Sequence, residues 1–153
     1  MKKALLVITL AVLILAACGS PVTEAPAKPR RTKTAPIWSS IKMTQSGGLA
    51  GVSRIITVSR DGLGSAIDER AGKNMAITLS AEQVAQLDSI VLSSMNLPEI
   101  TLDVNCADCF IYTLEVTFPK KTGVVQVSDT QLATSGYEPL VTFLRALLDA
   151  TLQ

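Results

Sequence analysis

The sequence predicts an α+β fold: a two-layer sandwich in which an antiparallel sheet of about six strands carries two helices packed on one face. Three observations predict it. Six short segments between residues 37 and 128 alternate apolar and polar side chains with a period of two, as strands with one buried and one wet face do. Two longer segments repeat their apolar residues at helical spacing. The order is four strands, a helix, two strands, a helix, and one-sided strands and helices bury each other. The 153 residues suit one domain with a real core, and no repeat or second domain is visible.

The first residues read as an export signal. Lys2 and Lys3 precede an apolar run from Ala4 to Leu15, too short to span a bilayer as a helix. The run ends in Leu15-Ala16-Ala17-Cys18, which resembles the lipobox of bacterial lipoproteins. That resemblance implies a signal peptide over 1–17, cleavage before Cys18 and acyl chains on Cys18. The expected location is extracytoplasmic, anchored through lipid to the cell membrane, or to the outer membrane if the cell has one. More than one acyl chain anchors stably where a single chain does not.

Residues 18–36 form the expected tether. Gly19 to Pro36 holds four prolines and no large apolar residue beyond Val22, so it cannot bury enough surface to fold. It carries four basic residues against one acid, a net +3, whereas residues 37–153 carry eight against twelve, a net −4. A basic tether thus holds a mildly acidic domain, which argues against nucleic-acid binding.

The domain is expected over 37–153. Its first strand alternates Ile37, Ser39, Ile41 and Met43 on one face with Trp38, Ser40, Lys42 and Thr44 on the other. The loop SGGLAG, containing Gly47, Gly48, Leu49, Ala50 and Gly51, leads into a second strand that alternates Val52, Arg54, Ile56 and Val58 with Ser53, Ile55, Thr57 and Ser59. Glycines at this turn allow positive φ. Leu49 stands there as an apolar residue on a polar loop, either folded back under the sheet or presented to a partner. Asp61-Gly62 predicts the next hairpin, with a third strand from Leu63 to Asp68. Glu69 to Lys73 turns into a fourth, Asn74 to Leu79, with Met75, Ile77 and Leu79 inward.

Ser80 and Gln83 make a capping box, with Leu79 and Val84 as its hydrophobic staple. Val84, Leu87, Val91 and Met95, widened by Ile90, form the helical stripe, which fails by Asn96-Leu97-Pro98. A loop to Asp108 contains Cys106. Phe110, Tyr112, Leu114, Val116 and Phe118 then alternate with Ile111, Thr113, Glu115 and Thr117 as the fifth strand. Residues 119–123 turn into a sixth, Val124 to Ser128, and Asp129 to Gly136 reads as a polar loop. The closing helix starts near Tyr137 with Pro139 in its first turn, where a missing N–H costs little. Leu140, Phe143, Leu144, Leu147 and Leu148 make its apolar face, while Thr142, Arg145 and Asp149 are expected to face water.

The chain has no histidine, which removes the commonest general base, the Ser-His and Cys-His nucleophile pairs and HExxH zinc sites. The acids are scattered among turns and helix faces, and no Walker loop or dinucleotide fingerprint occurs. No enzyme, cofactor or metal is therefore expected. Cys106-x-x-Cys109 has three readings. Half a zinc site lacks two further ligands. A thioredoxin-like redox pair should open a helix, whereas this one precedes a strand. A structural disulfide suits an exported chain and is preferred.

At SGGLAGV, then the capped helix, DCFIYTLEV and the helix PLVTFLRALL, the domain resembles the emfourins, small proteinaceous inhibitors of protealysin and other thermolysin-like metalloproteases. The similarity covers about residues 39–152. A lipid-anchored tether and the CxxC pair depart from that pattern. The resemblance implies a secreted or surface metalloprotease as partner, with Gly47, Gly48, Leu49, Ala50 and Gly51 as contact positions. Set against it is a lipid-tethered structural or interaction domain of the cell envelope with no enzyme partner.

Overall fold

Short turns between successive strands give antiparallel neighbours, and the sheet follows the chain except at one place. A computed structural model describes residues 38–94 and 106–153. The signal peptide, Cys18, the tether, Ile37, Met95 and the predicted helix stop at Asn96-Leu97-Pro98 lie outside the described residues. The strands are β1 (Ser40–Gly47), β2 (Val52–Ser59), β3 (Leu63–Asp68), β4 (Lys73–Thr78), β5 (Phe110–Thr117) and β6 (Thr122–Ser128). They form one antiparallel sheet in the order β4-β3-β2-β1-β5-β6. The helices are α1 (Ala81–Ser94), α2 (Asp129–Ser135) and α3 (Glu138–Leu152). The predicted α+β sandwich is the observed fold, with a third, short helix.

Register aligns the apolar positions into rows. Ala66, Ile56, Met43 and Leu114 stand side by side across four strands, and Ile41 pairs with Val58 on one side and Val116 on the other. Ile41, Met43, Ile56, Val58, Ala66 and Leu114 are buried beneath Leu87 and Val91 of α1 and Leu140, Leu144 and Leu148 of α3. α1 begins as predicted: Ser80 N–H donates to Gln83 Oε1 at 2.8 Å, and Gln83 N–H donates to Ser80 Oγ at 3.2 Å.

Four expectations are corrected. Trp38 is fully buried rather than on the wet face, because β1 starts only at Ser40 and the alternation does not extend back to it. Met75 points to the covered side but is 48% exposed, since β4 is an edge strand. Arg145 and Asp149 do not simply face water. The Arg145 guanidinium lies over the Tyr112 ring, 5.7 Å from its centroid, and Asp149 accepts from Arg54 at 3.3 Å. The expected polar loop at 129–136 is α2, with Ser128 as its N-cap and Gly136 closing it at φ +77°.

Buried Trp38 needs an acceptor for its indole N–H and finds Asp88 of α1 at 2.8 Å. The same carboxylate receives two bonds from Arg60, both at 3.1 Å, so one acid ties the start of the sheet, the second hairpin and α1 together. Arg60 chiefly, and Trp38 next, hold the Asp88 carboxyl below the usual carboxylate range. A depressed folded pKa contributes stability that is present above the unfolded pKa and is lost as pH falls through the folded one. Wild type is therefore expected to lose stability on acidification below about pH 4. Asp88→Asn should show a shallower acid slope and be less stable at pH 7 by about 2 kcal/mol. Denaturant melts at pH 7 and pH 3 check both; an unchanged slope would contradict the assignment.

Candidate functional site: the glycine loop and its supports

The meander sends β1 and β3 in the same direction, so the loops that follow them, 48–51 and 69–72, emerge at one end of the sheet. The disulfide segment 106–109 reaches that end too, because Gly47 pairs with Phe110, the first residue of β5. α2 starts there as well, since Ile111 pairs with Ser128. The expected site residues Gly47, Gly48, Leu49, Ala50 and Gly51 therefore sit together at the tip of the β1–β2 hairpin.

Leu49 is 90% exposed, the most exposed large apolar side chain among the described residues, so it is not folded under the sheet. The turn beneath it is closed by Gly51 N–H donating to Gly48 O at 2.9 Å. Gly47, at φ +100°, has no room for a side chain: a Cβ there would lie 2.3 Å from the Cys109 carbonyl oxygen. Gly48 N–H donates to that same oxygen at 3.1 Å, and the Phe110 ring fills the space beside Gly48. The loop is thus seated on the Cys109–Phe110 backbone.

Cys106 and Cys109 are joined in a disulfide with Cα atoms 5.5 Å apart. Closing so small a loop contributes about 2 kcal/mol in the chain-entropy model. A neighbour of this pair has no signal in the spacing of the sequence. The Asp129 carboxylate stands within 4.8 Å of both sulfurs and accepts from Phe110 N–H at 3.4 Å. Asp129 supplies a third potential donor to the half zinc site, but paired sulfurs offer no thiolate for ligation.

On the other flank the 69–72 loop is bound to the hairpin. Glu69 N–H donates to Ser53 O at 3.0 Å, and Ser53 Oγ donates to the Glu69 carboxylate. Asp68 accepts from Ala71 N–H at 2.9 Å and from Arg54 Nε at 2.9 Å, and these contacts, Ala71 foremost, lower its pKa. A shallow cleft lined by Ala50, Val52, Arg54, Asp68, Arg70 and Ala71 separates the two loops.

A second depression, between α1, α3 and the β5–β6 hairpin, is lined mainly by Val91, Leu114, Val116, Phe118 and Leu140, with Lys121 as its one charged residue among the described residues. Among the described residues it offers an apolar wall and no acid–base pair. No helix among the described residues is long and apolar enough to cross a membrane. No protein-family model and no curated protein matches the chain.

Proposed function

We propose that the protein is a lipid-anchored extracytoplasmic binding module whose glycine loop inhibits a thermolysin-like metalloprotease. The observation that carries this reading is Leu49: a large apolar side chain held out in solvent on a turn whose backbone is fixed on both sides. Exposure alone is common, but a seated turn lowers the ordering cost that a free loop incurs on binding. The resemblance of SGGLAGV, DCFIYTLEV and the closing helix to emfourins supplies the partner class. An apolar pocket of the protease that normally receives a substrate side chain would take Leu49. One leucine contributes only ~1.5–3 kcal/mol, so the 69–72 loop beside it must add contacts. Asp68, Asp88, Glu115 and Asp149 each pair with a lysine or arginine side chain.

The direct test is a titration of soluble domain 37–153 against a thermolysin-like protease, followed by peptide hydrolysis. Dose-dependent inhibition at or below micromolar concentration is expected. No inhibition at that level would leave the tethered interaction domain.

The anchor makes a separate prediction. Cells expressing wild type and fed a clickable fatty acid should label the protein, and Cys18→Ser should abolish the label and release the domain from the membrane fraction. Equal labelling of the two would overturn the anchor.

A further inference from the structure

We propose that the Cys106–Cys109 disulfide is a redox lock on the Leu49 loop, with Asp129 guarding it against reduction; the functional consequence rests on the inhibitor reading above. Three contacts tie the loop to the disulfide segment: Gly48 N–H on the Cys109 carbonyl, Gly47 packed against that same carbonyl, and the Gly47–Phe110 pairing at the end of the β1–β5 ladder. The disulfide closes the segment that presents this carbonyl, since only two residues separate its cysteines. Opening it frees the backbone of 106–109. Gly48 then loses a fixed acceptor, and a turn of three positive-φ glycines regains the conformational freedom that made it a turn.

The two sulfurs are unequal. Cys109 is buried, and Cys106 is partly exposed, so an incoming thiolate reaches Cys106 first. The reductant is a dithiol. Its thiolate attacks Cys106 Sγ, the Cys106–Cys109 bond breaks, and the electron pair leaves on Cys109 Sγ, which takes up a proton. The second thiol of the reagent then resolves the mixed disulfide, and Cys106 Sγ leaves as thiolate and is protonated. Two electrons and two protons pass to the protein, and the dithiol becomes a cyclic disulfide. Asp129 is exposed, so its effect is screened by water, but its carboxylate lies within 4.8 Å of both sulfurs and opposes both negative species, the arriving thiolate and the departing Cys109 thiolate.

The test uses the full chain carrying Cys18→Ser, which leaves Cys106 and Cys109 as its only thiols. Reduction by dithiothreitol is followed by thiol release, and Asp129→Asn is expected to be reduced about threefold to tenfold faster than the parent. An equal or slower rate would remove Asp129 as guard. Amide hydrogen exchange then compares oxidised and reduced protein. Gly48 and Gly51 should exchange at least about tenfold faster when reduced, while Ile56 and Ala66 in the sheet stay unchanged. Unchanged exchange at Gly48 and Gly51 would overturn the lock. If the lock and the inhibitor reading both hold, reduction also weakens inhibition about tenfold. If neither form inhibits, the inhibitor reading falls, and the exchange result still decides the lock.

Discussion

Leu49→Asp is expected to weaken inhibition of a thermolysin-like protease by at least about a hundredfold while leaving the melting temperature unchanged. The two halves follow from one observation. At 90% exposure Leu49 contributes almost nothing to folding, so its loss costs the domain nothing. In the complex the same side chain would be desolvated in an apolar pocket, and a carboxylate in its place loses the transfer energy and adds an unpaired charge. Leu49→Ala removes only the first contribution and should weaken inhibition by about ten- to a hundredfold. Inhibition constants and thermal melts of the two variants check this together. Inhibition unchanged in Leu49→Ala would move the contact elsewhere on the domain.

The largest stability effect is expected two residues earlier. Gly47→Ala puts a Cβ 2.3 Å from the Cys109 carbonyl oxygen, at a φ of +100° that L-residues rarely adopt. The obstacle is backbone, not a side chain that can rotate away, so β1 and β5 must separate at that rung. A strained φ alone costs roughly 1–3 kcal/mol, and the displaced pairing adds to it. Melting should fall by about 10 °C or more. Gly51→Ala is the matched control. It shares a positive φ, +59°, but a Cβ there meets nothing within 4 Å, so it should cost only about 1 kcal/mol. Equal losses in the two variants would show that conformation alone, not the seating against Cys109, fixes the loop.

The strands and the two long helices were legible because their periodicity is set by burial, and burial follows register. α2 was not. Its seven residues contain one large apolar side chain, Leu132, and cannot form a stripe. Its only local signals are Ser128 with Gln131 three residues on and Gly136 after the end. The alternation of residues 37–44 puts Trp38 on the wet face, but β1 begins only at Ser40, and Trp38, outside the pleat, turns inward to Asp88. Polarity alone places Arg145 and Asp149 in water, but the long Arg145 side chain extends over Tyr112, and Arg54 of β2 reaches out to the short Asp149.

The site was legible in part. Its glycines and Leu49 stand in one stretch of sequence, but an apolar residue at a loop tip is equally consistent with packing and with display, and only the fold separates the two. Asp129 lay beyond reach, twenty residues past Cys109, and is brought to the disulfide by the pairing of Ile111 with Ser128.

The proposed inhibition requires the glycine loop to enter the active-site cleft of a metalloprotease. Binding of domain 37–153 to a thermolysin-like enzyme, measured by calorimetry with and without a peptide-like ligand that chelates the catalytic zinc, tests it most directly. Mutually exclusive binding, lost together with inhibition in Leu49→Asp, is the predicted result; domain and active-site ligand bound at once to the same enzyme would contradict it.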